Sequence, residues 1–291
     1  MNFIYRKLNA FSRGESTGNP AACLYLDKDQ TLSEAEMLKV AQEHKGFVSE
    51  VIYCTPISEH YYKLRYYSSE CEVEFCGHGT IACMYDLIRE TDSLYNVKEI
   101  RINTNKGDLL VFNEIAKLDA VFITAPDPEF LTVPVTTQQT AAHLDIPSSK
   151  VDSNYPIMLI DAGLRTLIVP ITGLQTLIGI YPNEAKLKDF CESNGIDIIL
   201  IFSTEVSDEK NHMRTRVFAP KFGYLEDPAT GSGNSALGYY MLSLKMWDGR
   251  PITIEQNAQV DHFNTVHIQT KESKVLFGGN AVIRISGEYI L

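Results

Sequence analysis

Two glycine-rich turns, each followed by a segment that is apolar on almost every face, set the strongest constraint on the fold of this chain. The first reads "FCGHGTIACMYDLI" over residues 75–88, and the second reads "ATGSGNSALGYYML" over residues 229–242. A helix that is apolar all round must be enclosed by other elements. We therefore expect buried helices over residues 80–87 and 235–244, each inside its own curved antiparallel sheet.

The two turns belong to a longer internal similarity. Thr230 of the second turn lies 154 positions after Cys76 of the first. Downstream, "ITIEQN" at 252–257 resembles "IRINTN" at 100–105, at an offset of 152 positions. Self-similarity at a nearly fixed spacing indicates a duplicated unit of strands around one helix. The alternative is that two apolar helices follow glycines by chance.

The rest of the chain reads as many short strands and a few helices. Runs of β-branched and aromatic residues in both halves predict the strands. Ser33 and Glu36 have the spacing of a capping box, and Gly46 is placed to stop the helix that it starts. This mixture predicts an α+β protein.

The length of 291 residues exceeds the usual size of a single domain, so two domains are expected. A proline-rich stretch after a predicted strand near residue 120 marks the boundary. We predict an N-terminal barrel-like domain over residues 1–118, completed by residues 278–291. The C-terminal barrel-like domain then spans residues 119–277.

The composition excludes several classes of function. A formal charge of −11 argues against binding nucleic acid or an anionic membrane, because both need a basic surface. An anionic small substrate remains compatible, since it needs only a locally positive pocket. The chain shows no signal-peptide pattern, no apolar run near 18 residues and no Cys-x-x-Cys pair among its six cysteines. We therefore expect a cytoplasmic protein with free thiols.

The glycine turns themselves suggest a site. The N-terminus of a helix offers free backbone N–H groups and a partial positive charge, which attract anions. Glycines at 77, 79, 231 and 233 would let a ligand approach the backbone closely. Two such termini facing each other across a domain cleft would hold a carboxylate or an enolate-like charge. The alternative is that the glycines only cap buried helices.

Reactive side chains accompany both turns. His78 starts the first predicted helix, where the helix dipole would favour the neutral imidazole. Asp227 precedes the second helix, where a carboxylate is favoured, and Ser232 places a hydroxyl group at that terminus. Their equivalent positions in the two halves indicate a shared site.

Glu50 is a further candidate because it interrupts the apolar strand predicted over "FVSEVIYC". A carboxyl group buried among apolar side chains has a raised pKa, as a general acid/base needs. The alternative is an edge strand with Glu50 directed to solvent.

Four motifs in order, "AFSRGESTGNPAAC", "FVSEV", "FCGHGT" and "EDPATGSGNSALG", resemble the PhzF-like family of phenazine-biosynthesis-type isomerases, within the diaminopimelate-epimerase-like superfamily. The resemblance spans nearly the whole chain. It implies two similar domains, each an antiparallel barrel-like sheet around a central helix, with the active site between them. It also implies catalytic roles for Glu50, His78, Asp227 and Ser232. The implied substrate-binding residues are Asn19, Gly77, Gly79, Thr230, Gly231 and Gly233.

The resemblance further implies a reaction. In the phenazine enzymes the glutamate moves a proton between carbons of a cyclic dienyl amino acid, dihydro-hydroxyanthranilate, without a cofactor. A homodimer is implied as well. The sequence itself shows no His-x-x-x-His or clustered Cys/His spacing and no Gly-x-Gly-x-x-Gly motif, so neither a metal nor a cofactor is expected.

Two other functions remain open. The related amino-acid epimerases use one cysteine at each glycine turn as opposed acid and base. Here Cys76 occupies the first such position but Thr230 the second, and a hydroxyl group is too weak a base to replace a thiolate. Cys76 is either a residue packed at the turn or an accessory to catalysis. The other possibility is a small-molecule-binding protein that has kept the fold and lost the chemistry.

Overall fold

The computed structural model describes residues 1–291 as 18 strands and eight α helices. The strands, in chain order, are β1 Asn2–Ala10, β2 Asn19–Tyr25, β3 Val51–Ser58, β4 Tyr61–Tyr67, β5 Glu72–Val73, β6 Glu99–Thr104, β7 Gly107–Asn113, β8 Val121–Thr124, β9 Glu129–Leu131, β10 Met158–Asp161, β11 Arg165–Pro170, β12 Ile198–Ser203, β13 Met213–Phe218, β14 Glu226–Asp227, β15 Ile252–Gln256, β16 Asn264–Lys271, β17 Lys274–Gly279 and β18 Ala281–Ile290. The helices are α1 Glu34–Glu43, α2 Gly77–Glu90, α3 Asp92–Tyr95, α4 Ile115–Leu118, α5 Thr137–His143, α6 Leu174–Gly179, α7 Glu184–Ser193 and α8 Gly231–Ser243.

The N-terminal unit comprises Met1–Ser12, Thr17–Thr124 and Gly278–Leu291. Its strands pair in the order β18-β1-β2-β3-β4-β6-β7-β8, with the short β5 also on β4. Helix α2 contacts β1, β2 and β3 and also β8 and β18, which lie at the two ends of that order. The sheet therefore curves around α2, whose side chains are buried along most of its length.

The C-terminal unit comprises Arg13–Ser16 and Ala125–Phe277. Its strands pair in the order β9-β10-β11-β12-β13-β15-β16, with the short β14 on β13. Helix α8 contacts β10, β11, β12 and β16, and residues 233–241 of this helix are buried. This unit therefore also curves a sheet around one apolar helix.

The two units repeat one pairing scheme, as the internal similarity predicted. In each unit, the second strand of an antiparallel pair also forms a parallel pair with the next strand. These parallel pairs are β2 with β3 and β11 with β12. A second parallel pair consists of the strands before and after the buried helix, β4 with β6 and β13 with β15. Helix α8 begins 154 positions after α2, the offset read from the sequence. The predicted fold class, two similar α+β units with a sheet around a central helix, is confirmed.

Each of these sheets is mixed, because it contains two parallel pairs beside its antiparallel ones. Parallel neighbours need a crossover connection, and a helix is the usual one. Helix α1 lies between β2 and β3, and α2 lies between β4 and β6. Strands such as β12 are buried at every residue because one face meets the central helix and the other meets outer helices.

Local signals in the sequence had mixed outcomes. Ser33 and Glu36 form the predicted capping box at the start of α1. Glu50, however, is not in a strand: β3 begins at Val51, and Glu50 lies between it and the turn at residues 44–47. Its backbone is anchored to the sheet because the amide of Ala22 donates to the carbonyl of Glu50 at 3.2 Å.

None of the six cysteines is in a disulfide, and only Cys71 is exposed. None of the helices combines the length and hydropathy that a membrane-spanning helix requires.

A buried ion pair ties β13 to β15. The guanidinium of Arg214 donates to Glu255 at 2.8 Å, and both side chains are 0% exposed. Glu255 also accepts from the amides of Ser207 and Asp208. Burial lowers the pKa of Arg214, and the partner carboxylate opposes this shift.

We predict that Glu255→Gln lowers the free energy of unfolding by about 3–5 kcal/mol, because it leaves the Arg214 charge buried without its partner. Urea denaturation would measure the change. Asp248→Asn, which removes the carboxylate from the exposed ion pair with Arg250, is the control and should have a much smaller effect. Equal effects of the two substitutions would show that burial does not set the cost.

A second buried carboxyl group predicts a pH dependence of stability. Burial raises the pKa of Asp86 in α2 to about 6, although the Tyr25 hydroxyl at 2.6 Å and Arg6 at 3.3 Å oppose the shift. The folded protein thus binds this proton more tightly than the unfolded chain, so stability from Asp86 falls as pH rises from about 4 to about 6.

We expect the stability of the wild type relative to Asp86→Asn to fall by about 2 kcal/mol between pH 4 and pH 7. Denaturation curves at several pH values would test this. For the control Asp92→Asn, at an exposed position, the plot of unfolding free energy against pH should run parallel to that of the wild type. A wild-type curve parallel to that of Asp86→Asn would contradict the prediction.

Candidate active site

In the N-terminal unit the structure brings together three side chains that the sequence singled out. The His78 Nε2 atom lies 3.4 Å from Glu50 Oε2. The Cys76 Sγ atom lies 3.6 Å from the same oxygen and 3.5 Å from His78 Nδ1. The Glu50 and His78 side chains are 19% and 14% exposed, so both are sheltered but open to solvent. This cluster of a carboxylate, a thiol and an imidazole can exchange protons with a bound molecule.

Helix α2 positions two members of the cluster. Cys76 is its N-cap residue, and the Sγ atom accepts from the amide of Gly79 at 3.4 Å. The Thr80 hydroxyl donates to the Cys76 carbonyl at 2.7 Å and pairs with the buried Tyr66 hydroxyl at 2.7 Å. Tyr66 of β4 therefore holds the start of α2 in place through Thr80. His78 lies in the first turn of this helix.

Close packing explains two of the glycines. A Cβ atom at Gly79 would lie 2.7 Å from the Ile52 side chain, and one at Gly231 would lie 2.2 Å from the Phe277 ring. A larger residue at either position would force the facing side chain or the helix itself to shift. The structural reason for glycine thus exists without a ligand, and the substrate-binding roles of these residues stay predictions.

In the C-terminal unit, Asp227 is held at the start of α8. It lies in β14, where it pairs with Val217 of β13, and its Oδ2 atom accepts from the hydroxyl of Thr230. Thr230 is the N-cap residue of α8, and Ser232 stands half-buried in the first turn. The second glycine turn therefore presents a carboxylate and a hydroxyl group at a helix N-terminus.

Gln256, which the sequence reasoning missed, orders this turn. Its Oε1 atom accepts from the amide of Thr230 at 2.9 Å and from Asn234 Nδ2 at 2.7 Å. Because both of these partners are donors, the atom that accepts from them is the amide oxygen, and the amide nitrogen Nε2 lies on the opposite side of the group. It donates to Thr230 Oγ1 at 3.0 Å and to the Asp227 carbonyl at 2.9 Å. The Thr230 proton is thereby directed to the Asp227 carboxylate.

A signal for Gln256 was present in the sequence. It lies in "ITIEQN", the segment whose similarity to "IRINTN" indicated the duplication. Only the parallel pairing of β13 with β15 places it beneath the start of α8. Asn19, another predicted substrate contact, is buried as the first residue of β2, where it pairs with Ala10.

Comparison with known proteins agrees with this architecture. A family model described as phenazine biosynthesis-like protein matches residues 8–287. The chain belongs to the phenazine biosynthesis-like family. An uncharacterised isomerase of Clostridium acetobutylicum is 25% identical to it over 303 aligned residues, which cover 98% of this chain and 97% of that protein. Other curated relatives are also named isomerases, and the prediction of an isomerase is confirmed at this level.

Solved structures of this family and of epimerases share the fold. A phenazine biosynthesis protein of the PhzF family from Bacillus anthracis is 25% identical and superposes with a TM-score of 0.84, covering 100% of both chains. A hydroxyproline epimerase from Agrobacterium vitis, solved with trans-4-hydroxy-L-proline, has 11% identity and a TM-score of 0.58 and covers 99% of this chain and 92% of that one. The epimerase likeness concerns the fold alone.

We predict that Gln256→Leu lowers the free energy of unfolding by about 3 kcal/mol or more, because each buried polar group left without its partner costs about 1–3 kcal/mol. Urea denaturation would measure the loss. Gln175→Leu, at an exposed position in α6, makes the same chemical change as a control and should cost little. A stable Gln256→Leu protein would show that the amide does not hold the turn.

Proposed function

We propose that this protein is a cofactor-independent isomerase that moves a proton between carbons of a small, carboxylate-bearing, cyclic or amino-acid-like substrate. The observation that supports it most is the Glu50 carboxylate, placed beside Cys76 and His78 at the N-terminus of α2. Membership of a family with curated isomerases agrees with it.

Glu50 would act as the general acid/base. Its carboxylate takes a proton from a carbon that an adjacent carboxylate or double bond makes acidic, and the electron pair of that C–H bond moves into the conjugated system. The Glu50 carboxylic acid then returns the proton to a different carbon. The substrate's double bond shifts, no electrons are lost and no further reactant is needed.

His78 and Cys76 would assist that transfer. The imidazole nitrogen, 3.4 Å from the Glu50 oxygen, is close enough to orient the carboxylate or to contact the substrate when the site tightens around it. The Cys76 thiol donates to the same carboxylate at 3.6 Å. Because both contacts converge on Oε2, the other carboxylate oxygen is the one left for the reacting carbon.

The negative charge that develops on the substrate needs a counterpart. The first turn of α2 supplies backbone N–H groups and the positive end of the helix dipole close to Glu50. By the family resemblance, Asp227 and Ser232 are proposed as further substrate contacts, to an amine and to an anionic group. The resemblance assigns the same kind of role to Asn19 and Thr230.

Amino-acid epimerisation is the second candidate, favoured by the presence of Cys76 at a position where epimerases carry a thiol. Inversion at one carbon needs an acid and a base on opposite faces of the substrate. Cys76 and Glu50 lie side by side, with their reactive atoms 3.6 Å apart. This adjacency favours transfer on one face, and therefore isomerisation.

We predict that the wild-type protein incorporates solvent deuterium into its substrate and that Glu50→Gln reduces this uptake about 100-fold or more, because an amide cannot accept the proton. Mass spectrometry of a panel of cyclic and α-amino carboxylates in D₂O would measure uptake. Chiral chromatography of the products would separate isomerisation from epimerisation.

Glu59→Gln is the matched control, since it makes the same change in an exposed side chain at the turn between β3 and β4 and should leave uptake unchanged. Circular dichroism would verify that both variants are folded. Equal uptake by wild type and Glu50→Gln would remove Glu50 from the reaction. Absence of uptake with every compound would favour the binding-protein alternative.

A further inference from the structure

Three different metal-binding side chains converge at the N-terminus of α2. One donor atom from each of Glu50, Cys76 and His78 lies within 4.8 Å of the other two. We propose that these residues form a Zn²⁺ site and that a metal held there inhibits the protein by occupying the Glu50 carboxylate. The binding stands on the geometry alone, whereas the inhibition rests on the proposed function.

The distances between the donor atoms fit one tetrahedral ion. Zinc bonds of roughly 2.3 Å to sulfur and roughly 2.0–2.2 Å to nitrogen or oxygen place neighbouring donors roughly 3.3–3.6 Å apart. In the structure, Glu50 Oε2 lies 3.4 Å from His78 Nε2 and 3.6 Å from Cys76 Sγ. The remaining edge, from Cys76 Sγ to His78 Nε2, is 3.9 Å. Because His78 Nδ1 lies closer to Sγ, at 3.5 Å, the imidazole must also turn about its side-chain bonds to direct Nε2 at the shared ion.

The scaffold holds two of the ligands in place before any ion binds. Cys76 and His78 are two residues apart on one helical turn, and the Thr80 hydroxyl bonds to the Cys76 carbonyl at 2.7 Å. Thr80 is in turn bonded to the buried Tyr66 hydroxyl. Glu50 lies just before β3, and its backbone carbonyl accepts a hydrogen bond from the amide of Ala22. The backbone at Cys76 and at Glu50 is therefore already in place when the ion enters, and the reorientation that remains is that of the His78 ring.

Charge balance also favours a divalent ion. The positive end of the α2 dipole disfavours a lone cation. Binding, however, displaces the thiol proton, and the thiolate and the carboxylate together carry two negative charges beside a neutral imidazole. A Zn²⁺ complex of this set is neutral, so the dipole does not oppose it.

The donor set also selects the kind of metal. A thiolate and an imidazole suit Zn²⁺ and its spectroscopic substitute Co²⁺, whereas Mg²⁺ and Ca²⁺ prefer oxygen ligands. Three protein ligands leave a fourth tetrahedral position open, and the partly exposed Glu50 and His78 side chains give access to it. The ion bonds to Glu50 Oε2 and draws electron density from the carboxylate, so that the other oxygen, which faces the reacting carbon, becomes too weak a base to take the proton.

Titration of untagged, chelator-treated full-length protein with Co²⁺ tests the site directly. We expect one Co²⁺ per chain, with the near-ultraviolet absorption of a thiolate ligand and the visible bands of tetrahedral cobalt. Added Zn²⁺ should remove both signals. The titration is done in a Cys71→Ser background, because Cys71 is the exposed thiol and would otherwise bind metal by itself.

Cys76→Ser is the deciding variant. Serine keeps the N-cap of α2, since its hydroxyl can accept from the Gly79 amide, but it is not a zinc ligand of this type. It should abolish the thiolate absorption and weaken Zn²⁺ binding by at least about tenfold. His78→Gln, which keeps the thiol, should weaken Zn²⁺ binding to a similar degree. His60→Gln, at a half-exposed position in a turn, is the control and should leave the affinity unchanged.

The outcomes separate this site from the proposed function. Thiolate absorption that survives in Cys76→Ser, or no stoichiometric Co²⁺ binding to the wild type, would overturn the site whatever the activity. If deuterium exchange yields a substrate, Zn²⁺ should suppress uptake and chelator should restore it. Unchanged uptake by the zinc-loaded protein would place the ion elsewhere than on Glu50. If no substrate is found, the spectroscopic arm alone decides.

Discussion

The burial of one apolar helix inside each curved sheet is the constraint on which the rest of this structure depends. Helix α2 and helix α8 have no polar face for solvent, so strands must surround them. Enclosure requires crossover connections, and these create the two parallel strand pairs in each unit. It also fixes where each helix begins. The first turn emerges at one end of its sheet, and this is where the reactive side chains stand.

The two helix starts are built alike and then used differently. In the N-terminal unit the N-cap residue is Cys76, whose Sγ atom caps the helix and also touches Glu50 and His78. In the C-terminal unit the N-cap residue is Thr230, whose hydroxyl group donates a hydrogen bond to Asp227. Gln256 orients that hydroxyl group by donating to its oxygen. The two units therefore carry different groups at equivalent helix starts: a carboxylate–thiol–imidazole cluster in one and the hydrogen-bonded Asp227 carboxylate in the other.

The cluster at Glu50 connects the proposed reaction with the proposed metal site. A carboxylate that accepts a proton from carbon must have a lone pair directed at the substrate and neighbours that set its orientation. The proposed zinc site draws its three ligands from the same carboxylate, thiol and imidazole. The two proposals are therefore linked, because the metal site would use the same three side chains as the proposed proton transfer.

The sequence by itself determined the two buried helices, the duplication, the fold class, the capping box at Ser33 and the candidate residues at both turns, since glycine spacing and apolar patterns are local signals. It misplaced Glu50 in a strand, did not indicate the parallel strand pairs and missed Gln256. These depend on strand pairing between distant segments: only the fold brings the segment before β3 to the start of α2, or β15 beneath α8. Local pattern fixes which elements form, whereas the contacts between their side chains follow from packing, and the tertiary structure alone decides those.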